Sequence, residues 1–219
     1  VMYERGEGVA RSLAMAAKYY RLAAEQGYES AQYNLGVLYE EGRGVTRDPA
    51  AAVRWYRSAA EQGSVLAQVN LAVLLENGEG VTKDDAESAK WYLRAAEQGH
   101  VRAQLHAGYD FATGRGVARD DKEAAKWFRR AADQGDASAQ FDLGVSLATG
   151  QGVPVDLVEA HKWISLAATR YSAEESAKRA TAAEALAKLA PSMTPAQIAA
   201  ARRRAREWSP KPEPQGDGK

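Results

Sequence analysis

There is no cysteine anywhere in this 219-residue chain. That excludes a disulfide framework and thiolate zinc sites, while leaving the compartment undefined. Histidine is scarce: only His100, His106 and His161 occur, with no His-Glu-x-x-His pair and no ligand spacing, so neither a metal nor another cofactor is expected. An excess of one charge is also missing. The 29 Lys and Arg balance the 29 Asp and Glu, leaving no global field to draw in nucleic acid or an anionic membrane. No apolar run approaches the roughly 18 residues needed to cross a bilayer, so no direct membrane insertion is expected of this segment. Val1 to Val9 lack the basic start and apolar stretch of a signal peptide. What the chain does have is 45% apolar and 26% charged residues, enough to bury a core.

The apolar residues recur with a fixed period. Ala-Glu-Gln-Gly ends at Gly27, Gly63 and Gly99, and Ala-Asp-Gln-Gly at Gly135, each 36 residues after the last. Gly-x-Gly-Val puts its valine at Val9, Val45, Val81, Val117 and Val153, and an aromatic recurs at Tyr19, Trp55, Trp91, Trp127 and Trp163. Three marks sharing one period define an internal repeat.

Within one unit, a first helix is expected over about 29–41, stopped by Gly42, and a second over about 48–62, stopped by Gly63. Asp48, Asp84, Asp120 and Asp156 follow the glycine loops, where a side-chain oxygen can cap the next helix. Glu87, Glu123 and Glu159 stand three residues beyond the last three aspartates, the spacing of a capping box. Pro49 falls at the first helical position, where a missing N–H does no harm. Two such short helices cannot bury an apolar face alone, so neighbouring units must stack.

The run Ala-Gln-x-x-Leu-Gly-x-Leu-Tyr-x-x-Gly-x-Gly-Val-x-x-Asp from Ala31 to Asp48, followed by Trp55-Tyr56-x-x-Ala59-Ala60-Glu61-Gln62-Gly63, resembles the Sel1-like repeat (SLR) family. The resemblance reaches from residue 1 to about 170. It implies an all-α fold, a right-handed α/α superhelix (a solenoid of helix pairs) related to tetratricopeptide arrays, and a role in assembling protein complexes. Many bacterial members are exported or periplasmic, which favours such a location here over the cytoplasm.

Residues 1–171 are expected to form the repeats, with a partial first unit. Val1 to Gly6 align with Val37 to Gly42, in the middle of a first helix, so the chain is expected to be a fragment of a longer bacterial protein. Residues 172–208 are expected to cap the array with a helix over about 173–189, opened by Ser172 and Glu175 and closed by Pro191, and a last one from Thr194-Pro195 to about Trp208. That last helix carries Arg202, Arg203, Arg204 and Arg206, read as a solvated face. The Pro/Gly-rich segment 209–219 has nothing to bury and is expected to be disordered.

Several sharper chemistries fail on inspection. The Gly-x-Gly loops follow helices and lack the third glycine of a dinucleotide fingerprint, so they read as helix caps. His106 and Asp110 share a helix face, and Ser146 holds the slot of Asp110 one repeat later, but nothing supplies the oxyanion donors of a hydrolytic triad. No catalytic residue is therefore assigned. The aromatics Tyr19, Trp55, Trp91, Trp127 and Trp163 lie among paired alanines and read as a core ladder, not a base-stacking platform.

The expected function is a non-enzymatic scaffold that binds a protein or peptide partner. By resemblance to tetratricopeptide arrays, the first helices line a concave groove, whose slots read Tyr33, Asn34, Val37; Val69, Asn70, Val73; Leu105, His106, Tyr109; and Phe141, Asp142, Val145. These slots lack the paired lysines or arginines that grip a chain terminus, so an internal segment is the expected ligand. A second reading is a periplasmic cell-envelope or signalling module that binds a glycan or a sensor ectodomain, and a third, weaker one is a hydrolase.

Overall fold

The computed structural model describes residues 2–6, 8 and 10–211. These form twelve α-helices and one 3-10 turn, with no strand among them. Two compact units divide the chain, Val1–Gln98 and Gly99–Lys219. The first holds α1 (Met2–Arg5), α2 (Leu13–Glu25), α3 (Glu29–Glu41), α4 (Pro49–Glu61), α5 (Val65–Asn77) and α6 (Asp85–Glu97). The second holds α7 (Val101–Thr113), α8 (Asp121–Asp133), α9 (Ala137–Thr149), α10 (Leu157–Arg170), α11 (Ser176–Leu189) and α12 (Pro195–Glu207), with the 3-10 turn Ala190–Ser192 between the last two. Each helix packs on its sequence neighbours, α2 on α3, α3 on α4 and so to α6, then α7 on α8 through to α10, which both α11 and α12 cover.

The helix ends have local causes. The Asp48 side chain accepts from the Ala51 N–H at 2.9 Å, with Pro49 opening the helix. Asp84, Asp120 and Asp156 cap α6, α8 and α10 in the same way. The capping boxes expected at Glu87, Glu123 and Glu159 do not close, because each glutamate is drawn elsewhere. Glu87 is taken by Arg57 and by the Trp91 indole N–H, Glu123 by Lys126, and Glu159 by Lys162 and Arg204. The N–H groups that a box would use are satisfied as well, those of Asp84, Asp120 and Asp156 donating to the Leu75, Phe111 and Leu147 carbonyls. A complete box forms at Thr194 and Gln197, opening α12. Ser172 and Glu175 make a bend first, with the Ser172 N–H donating to Glu175, so α11 begins at Ser176, later than expected.

The Gly-x-Gly-Val loops that hold Gly44, Gly80 and Gly152 do two jobs. The first glycine takes the left-handed conformation that ends the first helix, as Gly42 does at φ 70°. The second glycine lies against the preceding helix pair. A Cβ on Gly80 would fall 2.3 Å from the Pro49 carbonyl carbon at the start of α4. The loop is thus a contact between repeats as well as a cap.

The core differs from the expected ladder in one respect. Trp91 and Trp127 are buried, at 6% and 8% exposure, but Tyr19 is 49% exposed and stacks on Tyr3. In α2, α4, α6 and α8 the deeper ring belongs to the next residue, Tyr20, Tyr56, Tyr92 and Phe128, whereas in α10 Trp163 itself is the deep ring, at 1% exposure, beside Ile164. Helix contact here is close. A Cβ at Gly36 would fall 2.6 Å from the Tyr56 ring, and one at Gly108 would fall 2.4 Å from Phe128. The Trp91 and Trp127 indoles lie under cationic side chains, with Arg94 over Trp91 and Arg130 over Trp127 at 4.6 and 4.5 Å.

A glutamine ladder also runs through the repeats. Gln68 is buried and donates to the Ala60 carbonyl, and Gln98 donates to Gln68 at 2.8 Å. Gln62 and Gln32 repeat the link in the first unit, and Gln134 and Gln104 in the second. These amides satisfy buried carbonyls at the turns, where an apolar residue would strand them.

At the C-terminal end, Trp208 meets Trp163 edge-on at 5.8 Å, and Arg204 donates to Glu159. One of the four arginines therefore docks α12 onto α10. The Lys211 N–H donates to the Asp133 carbonyl at 2.8 Å, so residues 209–211 lie against the end of α8. The remainder of the expected disordered tail, 212–219, lies outside the described residues.

Candidate functional site

The twelve groove positions all fall on first helices: α3 and α5 in the first unit, α7 and α9 in the second. Val69 is buried, and Leu105 and Phe141 pack against core clusters, so the first member of these triplets contributes mainly to packing. Tyr33, Asn34 and Val37 are half-buried, as are Asn70, Val73, His106, Asp142 and Val145; Tyr109 is exposed at 36%.

In the first unit, the sequence slots come together around Tyr56. The Tyr33 ring lies 5.9 Å from it, and the Asn70 side chain acts on both hydroxyls, lowering their pKa against the larger effect of burial. The Tyr56 hydroxyl donates to Glu40 at 2.5 Å, and Tyr92 does the same to Glu76 at 3.1 Å. Burial and the neighbouring Glu40 carboxylate push the Tyr56 hydroxyl pKa upward, so it remains a donor at any physiological pH.

In the second unit, the same slots make a different arrangement. The Tyr109 hydroxyl donates to Asp142 Oδ2 at 2.7 Å, and its ring meets Phe128 edge-on at 5.4 Å. Burial raises the Asp142 pKa to about 6, against the smaller opposing effects of the Tyr109 bond and of Lys178. On either side of this pair lies a small cavity. One, of about 160 Å³, is bounded by Ala112, Phe128, Val145 and Ser146 with Asp121 and Gln151 at its polar side. The other, of about 180 Å³, is bounded by Phe141, Tyr171 and Lys178.

The remaining chemistry is accounted for by structure. Asp110 is buried and held by Arg115 at 2.7 Å, and the Ser146 hydroxyl donates to the Asp142 carbonyl within its own helix. His100 caps α7, its Nδ1 accepting from the Ala103 N–H, and His161 is buried with Nδ1 at 3.2 Å from the Ser165 hydroxyl. Desolvation lowers the pKa of both imidazoles, which favours the neutral form. Among the described residues, no group of three or more His, Asp or Glu could hold a metal ion, and no helix is long and apolar enough to cross a membrane.

Stacked helix pairs of 36 residues, glycine-locked and aromatic-cored, define a class: the all-α repeat solenoids. The chain belongs to the Sel1 repeat family, whose pattern matches residues 1–28, 29–64, 65–100, 101–136 and 137–172. It is similar to a solved Sel1 repeat protein from Oxalobacter formigenes, at 33% identity and a TM-score of 0.76, over 94% of this chain and 84% of that one. It is also similar to c5321, a protective antigen present in uropathogenic Escherichia coli strains displaying an SLR fold, at 35% identity and a TM-score of 0.77. That match covers 94% of this chain but 44% of the antigen. The comparison with curated proteins gives no match. Sel1 repeat proteins generally mediate protein–protein interaction.

Proposed function

We propose that this chain is a non-enzymatic interaction scaffold whose first-helix faces take an internal segment of a partner protein. The observation that carries the reading is the repetition of one surface motif on α3, α5, α7 and α9: a partly exposed polar side chain (Asn34, Asn70, His106 or Asp142) with a partly exposed Val37, Val73, Tyr109 or Val145 three residues on. Residues three apart share a helix face, so each helix offers an apolar contact beside a hydrogen-bonding group. That combination suits an extended peptide or an amphipathic helix, which needs apolar area for affinity and polar anchors for register. Asn34 and Asn70 can each donate to and accept from a peptide backbone. None of the twelve slots carries a lysine or arginine, which argues for an internal segment over a free carboxyl terminus.

The test is partner binding by Asn70→Ala and Tyr109→Ala, singly and together, with thermal melting of each variant. Binding should weaken while melting stays cooperative. Undiminished binding by the stably folded double variant would refute this assignment and move attention to the second-helix faces.

A further inference from the structure

The cavity beside Tyr109 exists because three repeat positions changed together. In the first unit, the corresponding slots hold Glu40, Tyr56 and Leu74, and the Tyr56–Glu40 hydrogen bond fills the space. In the second unit they hold Ala112, Phe128 and Ser146. Hydroxyl and carboxylate are lost as a pair, so no polar group is stranded, and an apolar floor of Phe128, Ala124 and Ala112 remains. The resulting volume, about 160 Å³, is roughly ten times what a single water requires.

A carboxylate has meanwhile arrived from the neighbouring helix. Asp142 stands where the first unit uses Asn34 and Asn70, so the fold itself accepts a neutral amide at this slot. Its Oδ2 is occupied by the Tyr109 hydroxyl, and the Lys178 charge acts on it from the other cavity. Asp121, paired with Arg119 and Gln151, adds a second carboxylate at the polar side, and no cationic side chain lines the cavity. The space therefore combines negative charge, two aromatic rings at 5.4 Å and an apolar floor.

We propose that this cavity is a binding pocket for an arginine side chain of the partner, seated between Tyr109, Phe128 and Asp142. The aliphatic stem packs on Ala112 and Val145, and the planar guanidinium donates to the remaining Asp142 oxygen while lying against an aromatic ring. A carboxylate withdrawn from water costs stability where an asparagine would serve, which is the mark of a group kept for binding. The pocket deepens the scaffold reading and rests on it, because it supplies one specificity anchor on the proposed α7–α9 surface.

The test uses the whole chain, labelled with 15N, and the blocked pentapeptide Ala-Ala-Arg-Ala-Ala, with versions carrying citrulline or norleucine in place of arginine. The arginine peptide should produce saturable amide shifts at Tyr109, Ala112, Phe128 and Asp142 within about 10 mM, the weak range of one anchored side chain. Citrulline, which keeps shape but not charge, and norleucine, which keeps only the stem, should not. Asp142→Asn should weaken binding at least about tenfold, as expected for losing a charged hydrogen-bond partner. Ala112→Glu combined with Phe128→Tyr, which restores the first unit's filling pair, should abolish it in a folded protein. Equal binding of the citrulline or norleucine peptide, shifts that survive both variants, or no shift with arginine would each overturn the pocket. A partner that still contacts Val37, Val73 and Val145 would leave the scaffold reading standing when the pocket fails.

Discussion

Gly78 and Gly80 offer a matched pair for separating backbone strain from packing between repeats. Both glycines sit in one loop at nearly the same dihedral, φ 69° and 70°. Alanine at either position carries the cost of a left-handed residue, about 1–2 kcal/mol, and gains similarly from reduced freedom in the unfolded chain, about 0.4–1 kcal/mol. Only the surroundings differ. A Cβ on Gly78 meets the Lys83 Cβ at 3.2 Å, which a small adjustment relieves. A Cβ on Gly80 falls 2.3 Å from the Pro49 carbonyl carbon and 2.5 Å from the Ala50 nitrogen, both backbone atoms of the first turn of α4. The loop must lift off the preceding pair, an overpacking cost of about 1–3 kcal/mol. Gly80→Ala should therefore be more destabilising than Gly78→Ala by about that amount, about 1–3 kcal/mol, read as a difference in urea midpoint by circular dichroism and tryptophan fluorescence. Equal midpoints would refute the claim that the second glycine is the contact between repeats.

Truncating Trp91 to alanine should cost about 3–5 kcal/mol, while Tyr19→Ala, half-exposed, should stay within about 1 kcal/mol; equal melting temperatures would contradict the assignment of core and surface aromatics. Asp142 has a folded pKa of about 6, above its ordinary 3.8, so the folded state binds the proton more tightly. The stability this gives is fully present below pH 3.8 and is lost as pH rises through about 6. Asp142→Asn should then stabilise the protein at pH 7.5 by on the order of 1–3 kcal/mol and have little effect near pH 4. A difference between variant and parent that does not change with pH, measured by urea unfolding, would exclude this. We propose that 172–208 cap the array, since α11 and α12 cover α10. Deleting them should expose Trp163, Ile164 and Tyr171 and cause aggregation in light scattering, and a soluble monomer with unchanged melting would count against the cap.

Periodicity carried most of the fold into view from sequence. The 29–41 helix coincides with α3 because its end depends on one residue, Gly42, whose left-handed conformation is local. What stayed hidden depended on partners far along the chain. Glu87 has the spacing of a capping box but is claimed by Arg57, 30 residues away. Trp55 and Tyr56 are adjacent aromatics, and sequence alone favoured the larger ring as the core residue. The signal that could have corrected this was present: Tyr56 with Glu40 and Tyr92 with Glu76 change together to Phe128 with Ala112 and Ile164 with Ala148. Covariation between repeats of one chain marks side chains in contact, as the Tyr56–Glu40 bond demonstrates. The same comparison exposes the cavity at Tyr109, which groove positions chosen by family resemblance named only in part.

Site-specific photocrosslinking tests the central claim most directly. A benzoylphenylalanine placed in turn at Val37, Val73 and Val145, on the first-helix faces, is compared with the same group at Lys90 and Lys126, exposed on α6 and α8. Illumination of the folded variants with a cell extract should give the same partner adduct from the three valine positions and none from the two lysine positions. Adducts confined to Lys90 and Lys126 would contradict the account and place the interaction on the second helices.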